Sequence, residues 1–299
     1  VRLTGLRSVE LGVTDVAAAA RFYTDVWGLV PVASPGGVVY LRGSGVPHHL
    51  VALHPRATPE LLSVTFCARS NEDIRALHAR LKGAAVGAVG AHAPIPEPGG
   101  GYGFAFADPE GRIFRAIAGD ARHAAASDLR DRPHELAHVV LNSADVPRAT
   151  AFFVEVLGFR LTDQTRMMDF MTCNDHHHNV AFAHADAATL NHIAFEVPDL
   201  ESVMRGAGRL RDHGYRIEWG VGRHGPGNNV FAYFIGPDDF VVEYTAEVER
   251  VDASYRVGRP DDWKWPPGRV DHWGVSDPPS ERMKAAQRKI RFAAPPASA

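Results

Sequence analysis

An imidazole, a phenol and a carboxylate fall at even intervals in the stretch GRHGPGNNVFAYFIGPDDFVVEYTAE, which runs from Gly222 to Glu247. They are His224, Tyr233 and Glu243, nine and then ten residues apart. The apolar run from Val230 to Phe234 breaks at Gly236-Pro237-Asp238-Asp239 and resumes as Phe240 to Tyr244. Turn residues between two apolar runs predict a hairpin. Side chains alternate along a strand, so Val241 and Glu243 share a face. A carboxylate on the face of a valine suits a core poorly and a metal site well.

Partners for Glu243 come from an internal repeat. Four segments each open with an apolar strand, followed by a helix-capping residue and a glycine that ends the helix. The strands are Leu6 to Val13, Leu62 to Ala68, Leu136 to Leu141 and Leu190 to Val197, the caps Asp15, Ser70, Asp145 and Asp199, and the stops Gly28, Gly83, Gly158 and Gly214. Seven residues before the caps stand Ser8, Ser63, His138 and His192. Matching the last turns, Asp108-Pro109-Glu110-Gly111 against Gly236-Pro237-Asp238-Asp239, sets Arg115 opposite Glu243. One half of the chain thus offers Ser, Ser and Arg where the other offers His, His and Glu. A histidine at a strand start is ordinarily a satisfied core or surface residue. Two at symmetry-related positions, with a carboxylate on an adjoining strand, make a two-histidine, one-carboxylate set. That set leaves coordination positions open and suits non-haem Fe(II), while zinc would accept the same ligands.

A second cluster, Asp175-His176-His177-His178-Asn179, precedes the strand Val180 to Ala183. His178 is favoured for chemistry because it adjoins the strand running beside the site, with His177 as the alternative and His176 as a polar loop residue. Phe170, Phe182 and the tail tryptophans are expected as pocket walls. His213, at a helix end before Gly214, reads as structural.

These side chains need a frame. Each repeat has room for about three further strands after its helix, giving β-α-β-β-β four times. Candidates are Val38 to Leu41, His49 to Leu53, Phe104 to Ala107 and Ile113 to Ile117, then Met168 to Cys173, Val180 to Ala183, Asn229 to Phe234 and Phe240 to Tyr244. The expected class is α+β, with four βαβββ units forming two tandem modules, each an open barrel-like mixed sheet with helices outside. Residues 1–120 form the module without a metal site, 119–133 a linker and 134–248 the catalytic module. Residues 249–299 form an extension with Trp263, Trp265 and Trp273, a short helical pattern SERMKAAQRK and a small-residue tail, AAPPASA, expected to be disordered.

Composition narrows the partners. The 299 residues are 45% hydrophobic and 22% charged, with a net charge of -3. These are ordinary values for a globular protein and give no reason to expect nucleic acid or a membrane surface. No apolar run approaches the ~18 residues that span a bilayer, and the N-terminal stretch lacks a signal-peptide apolar run. Two cysteines make no disulfide framework, so a cytoplasmic location is expected. Sixteen histidines invite metal or proton chemistry.

LAHVVL with His138, CNDHHHNVAF with His178, LNHIAFEV with His192, and the block from Arg223-His224 through Tyr233 to Glu243-Tyr244 together resemble the vicinal oxygen chelate superfamily. Within it the chain is similar to the two-domain extradiol (type I) catechol dioxygenases, such as those acting on 2,3-dihydroxybiphenyl, over about residues 1–248. The resemblance implies that His138, His192 and Glu243 bind Fe(II), or Mn(II) as in a few members. It also implies that His178, His224 and Tyr233 line the substrate side, that a catechol and O2 are the substrates, and that the chain forms a homo-oligomer. Tyr233 and His224 would hold a substrate oxygen, and His178 would act as acid-base on the O2 side. The rivals are a glyoxalase-like isomerase or epimerase, a 4-hydroxyphenylpyruvate-type dioxygenase, and a non-catalytic small-molecule binding module. The first generally draws two carboxylates, often from two modules, and here the first module supplies Ser8, Ser63 and Arg115. The second should not need the His178, His224, Tyr233 set, and the third needs a cavity without a triad.

Overall fold

The computed structural model describes residues 3–84, 87–126 and 131–294. The first unit is β1 (Leu3–Val13), α1 (Val16–Arg21), β2 (Val30–Ala33), β3 (Val39–Arg42) and β4 (Val51–Pro55). The second is β5 (Glu60–Ala68), α2 (Asn71–Ala84), β6 (Ala93–Pro94), β7 (Tyr102–Ala107) and β8 (Ile113–Ala118). The third is β9 (Glu135–Ser143), α3 (Val146–Ala151), β10 (Arg160–Gln164), β11 (Met168–Thr172) and β12 (Val180–His184). The fourth is β13 (Leu190–Glu196), α4 (Leu200–Asp212), β14 (Trp219–Arg223), β15 (Val230–Ile235) and β16 (Val241–Ala246). After these come α5 (Glu281–Ala286) and β17 (Arg291–Phe292).

The first sheet runs β2-β3-β4-β1-β5-β8-β7-β6 and the second β10-β11-β12-β9-β13-β16-β15-β14, the same order shifted by one module. In each, two units meet antiparallel at the centre (β1 with β5, β9 with β13), and the first and last strands of a unit pair parallel. The sheets are mixed, as expected, and neither closes into a barrel. Within the four units, the strands that sequence alone did not locate are β2, β6, β10 and β14. They flank each sheet, and β2, β6 and β14 contain no run of buried residues. An edge strand with little burial carries little alternation to read.

Asp15, Asp145 and Asp199 accept backbone N–H bonds at the starts of α1, α3 and α4, and Ser70 does so for α2. Gly28, Gly158 and Gly214 have φ of 99°, 81° and 82°, the left-handed turn that glycine adopts without a Cβ penalty. Gly83 departs from this pattern. It lies inside α2, which continues to Ala84, because hydrogen bonding along the helix outweighs the ~1 kcal/mol that an interior glycine costs.

Each module presses an aromatic turn into the back of the other. Trp27 stacks on Tyr244 at 3.8 Å between ring centroids, and the Tyr244 hydroxyl donates to the Trp27 carbonyl at 2.5 Å. Phe153 meets Phe66 and Phe114 from the opposite side. A continuous core therefore crosses the junction. Tyr244 is anchored in that core, so its neighbour Glu243 is turned to the other face of the sheet.

The described part of the extension is structural. Met283 and Ala286 of α5 pack against Phe231, Tyr233, Ile235 and Val241. β17 then pairs parallel with Glu60 and Leu61 of β5, so the end of the second module's extension adds a strand to the first module's sheet. The expected disorder of the tail concerns residues of which 295–299 lie outside the described ones. Within the expected linker, His123 and Ala126 bond back to Val46 and Ser44 of the first module.

Candidate active site

Strand register decides which side chains meet. Ala194 of β13 lies opposite His138 of β9, His192 opposite Val140, and Glu243 of β16 beside Ala194. Period two then turns His138, His192 and Glu243 to one face, while Val139, Ile193 and Val242 enter the core behind it. The Glu243 Oε2 atom is 3.2 Å from His138 Nε2 and 3.1 Å from His192 Nε2, and the two nitrogens are 3.4 Å apart. All three residues are buried, Glu243 completely.

This donor set fits a metal ion. Bonds of about 2.0–2.2 Å to a single ion put neighbouring ligand atoms about 3 Å apart, the spacing found. The Asn191 side-chain oxygen, which can only accept, lies 2.8 Å from His192 Nδ1. That nitrogen therefore carries the proton, and Nε2 presents its lone pair to the site. Burial opposes charge on Glu243, yet His138 and His192 bring its pKa well below the usual carboxylate range. Burial also lowers the pKa of His192, against the opposing pull of Glu243. An ionised carboxylate beside the His192 lone pair and the His138 Nε2 atom is a ligand set for a cation.

The equivalent face of the first module is occupied by arginine. Ser8 lies opposite Thr65, and Thr65 beside Arg115, the same register as His138, Ala194 and Glu243. Arg115 pairs there with Glu10 and Glu97, and Arg7 Nη1 reaches Ser8 Oγ at 3.0 Å. A guanidinium stands where the second module gathers metal donors.

Behind the candidate ligands is a shell that sequence reading missed. Gln287, just past α5, donates to Asn191 Oδ1 at 2.7 Å, and Asn191 donates to Asn142 Oδ1 at 2.9 Å. Asn142 in turn donates to Thr189 Oγ1 and to the Gln287 carbonyl, both at 2.7 Å. The extension thus fixes the amide that fixes His192. Asn191→Ala is expected to weaken metal affinity about 10- to 100-fold, the usual loss for a partner that orients a ligand. Competition against a chelator measures this, and an unchanged affinity would remove Asn191 from that role.

Of the histidine run, His178 reaches the cavity. Its ring lies 4.2 Å from that of His138 and edge-on to Phe170. His177 stands behind it, with Nδ1 2.9 Å from His178 Nδ1 and Nε2 2.7 Å from Asp163 Oδ2. Asp163 is fully buried and also accepts from Gly258 N and the Tyr255 hydroxyl of the extension. The chain of bonds assigns tautomers: His177 donates from Nε2 to the carboxylate, His178 donates from Nδ1 to His177, and His178 Nε2 keeps a lone pair. Burial, with His138 next, holds the His178 pKa well below its ordinary value, so the ring is neutral near pH 7. His176 turns away to Glu135 and Glu196.

His224 and Tyr233 meet on the opposite wall, Nε2 to hydroxyl 3.0 Å. Burial, with Glu243 next, raises the Tyr233 pKa well above its usual value, so the hydroxyl keeps its proton. Burial pulls His224 down to about 4. Trp219 of the unforeseen β14 stacks on Tyr233 at 5.1 Å and holds it in place.

These groups open into a cavity of about 490 Å³, with Phe170, Val140 and Met168 on one wall and Trp263 and Trp265 of the extension over it. Phe182 departs from expectation. It alternates with Ala181 and Ala183 on β12 and so faces the opposite side, fully buried in the core under the Arg112 guanidinium at 4.5 Å. Trp273 stacks with Arg223 and is not part of the cavity lining.

The family model for the Glyoxalase/Bleomycin resistance protein/Dioxygenase superfamily matches residues 5–114 and again 135–244. The chain is 27% identical to a biphenyl-2,3-diol 1,2-dioxygenase of Paraburkholderia xenovorans, over 95% of this chain and 99% of that protein. It is 34% identical to metapyrocatechase 2 of Cupriavidus necator over 40% of this chain and 39% of that enzyme. Among solved structures, a Mn(II)-bound glyoxalase from Novosphingobium aromaticivorans superposes with a TM-score of 0.87 and 36% identity, covering 94% of each chain.

Proposed function

We propose, for a chain that belongs to the Glyoxalase/Bleomycin resistance protein/Dioxygenase superfamily, that it is an extradiol dioxygenase. It inserts both atoms of O2 into a catechol-type diol and opens the ring beside the two hydroxyls, a step in the breakdown of aromatic compounds. The observation that carries this reading is the gathering of His138, His192 and Glu243 on a face that opens into the same cavity as His178, His224 and Tyr233.

The protein is metal-dependent on this reading, with His138, His192 and Glu243 as ligands. Fe(II) is the ion we favour, and Mn(II) is the alternative, bound in the Novosphingobium structure. When bound, a ferrous ion supplies the redox chemistry by which a closed-shell diol reacts with triplet O2. The chain does the rest. Phe170 and Trp263 take the faces of an aromatic ring and keep water out. The Tyr233 hydroxyl, protonated at neutral pH, donates to a substrate oxygen, and His224 orients it. His178 Nε2 accepts a proton from a substrate hydroxyl and returns it later in the turnover.

The experiment loads the apoprotein anaerobically with Fe(II) or Mn(II), then adds a panel of substituted catechols and O2. The expected result is a yellow ring-fission product formed with one O2 consumed per diol. The Novosphingobium likeness favours a second reading, a glyoxalase-type isomerase, which would act on a hemithioacetal without consuming O2. Against that reading, Glu243 is the one carboxylate in the ligand cluster among the described residues. Isomerase turnover with no O2 uptake on any diol would replace the first reading by the second.

No helix among the described residues is long and apolar enough to cross a membrane. Cys67 and Cys173 are unpaired, which fits a reducing compartment, and we read the location as cytoplasmic. Assembly is read as homo-oligomeric, on the family resemblance.

A further inference from the structure

We infer that His134, Glu135, His176 and Glu196 form a second site, for a divalent first-row metal cation, at the junction of the two modules. It lies at the ends of β9 and β13, away from the cavity that His138 and His192 line, and takes no part in the proposed reaction.

Strand register first puts two like charges together. Glu135 of β9 is directly opposite Glu196 of β13, a pairing that is destabilising unless something compensates it. One ligand atom each from His134, Glu135 and Glu196 lies within 4.8 Å of the others. The His176 ring borders two members of that cluster, with Nε2 3.5 Å from Glu135 Oε1 and Nδ1 3.6 Å from Glu196 Oε2. These separations are too long for good hydrogen bonds, so neither ring nitrogen is satisfied by a carboxylate, and a ring rotation would turn one of them to an ion held with Glu135 and Glu196.

Independent support comes from unpartnered buried atoms. His176 is 5% exposed and Glu196 6%, and the two atoms that face each other, His176 Nδ1 and Glu196 Oε2, have no hydrogen-bond partner. A buried acceptor left this way is destabilising. Arg250 does not relieve it. Its Nη1 is held by Asp175 at 3.0 Å, and its Nη2 stays 4.0 Å from the other Glu196 oxygen, Oε1. Burial and Arg250 keep His176 neutral, with a pKa down at about 4, the form that ligates metals. Burial and Glu135 push Glu196 up to about 7, the cost that a cation would remove.

The internal repeat supplies a control. The positions in the first module that match Glu135 and Glu196 are Gly5 and Cys67, which are paired in the same register. Neither carries a carboxylate. The site therefore belongs to the second module alone, facing first-module residues such as Arg7 and Pro47 across a small cavity. Two imidazoles and two carboxylates suit a zinc-like ion held entirely by protein. Bound there, it would tie β9 and β13 to the loop that delivers His178.

The test is the count and position of Zn²⁺ bound to the full chain. Equilibrium dialysis with metal analysis should give two Zn²⁺ per wild-type chain, one for H138A/H192A and one for E135Q/E196Q. Anomalous diffraction of Zn²⁺-soaked wild-type crystals should show a second peak between His176 and Glu196. That measurement stands even where a variant fails to fold. A single peak at the His138 face, with no Zn²⁺ bound to H138A/H192A, would overturn the inference. So would a rise in Tm for E135Q/E196Q together with unchanged Zn²⁺ binding, which marks a carboxyl pair sharing a proton. Catechol turnover is not a readout, so failure here leaves the dioxygenase reading untouched.

Discussion

His192→Ala is expected to lose the metal and ring cleavage together. Its Nε2 is one of three donor atoms, and no other side chain joins that ligand cluster among the described residues. An orienting partner alone is worth about 10- to 100-fold in affinity. Losing a ligand should cost more, on the order of 10³-fold, with turnover falling to background. The substitution also strips Glu243 of one of two imidazoles. With the metal gone, the buried Glu243 carboxylate loses the cation that would offset its burial, so a lower Tm should accompany the loss. Metal analysis after dialysis and a thermal melt measure both. A variant that kept stoichiometric iron and normal turnover would end the assignment of His192 as a ligand.

His178→Ala should behave differently. The ring lies 4.2 Å from that of His138, tilted at 40° to it, but outside the cluster of candidate ligand atoms. The expected result is an unchanged metal content with turnover down about 10²- to 10⁴-fold, the range for a removed acid-base group. KM for the diol should move little, because Phe170, Tyr233 and the extension tryptophans still hold the ring. The pH profile is the sharper measure. Neutral His178 accepts a proton, so wild-type kcat should fall as pH drops below the folded pKa of the His178 relay, and the variant should lack that limb. Turnover within a few-fold of wild type would return the acid-base role to another group.

Both substitutions rest on residues legible before any coordinates. The repeat could be read because each unit carries its own cap, and in three of the four units its own glycine stop, which are local signals. Gly83 escaped because a glycine inside a helix and one at its end look alike in sequence. The last strand escaped for another reason: Arg291 and Phe292 take their strand character from β5, some 230 residues earlier. The choice between His177 and His178 was open in the sequence. Asp163 favours His178 by holding His177 from behind, a contact across 14 residues that no local pattern announces. Phe182 was misjudged by one position, and with period two a single step exchanges cavity for core.

Local chemistry in the chain determined the four units, their order and the identity of the His138, His192 and Glu243 set, because caps, turns and alternation act within a few residues. Tertiary structure alone decided how the extension roofs the cavity, how Gln287 steadies His192 through Asn191, and where Glu135 meets Glu196. Those contacts join strands and loops far apart along the chain, and their energies exist only once the two sheets have packed.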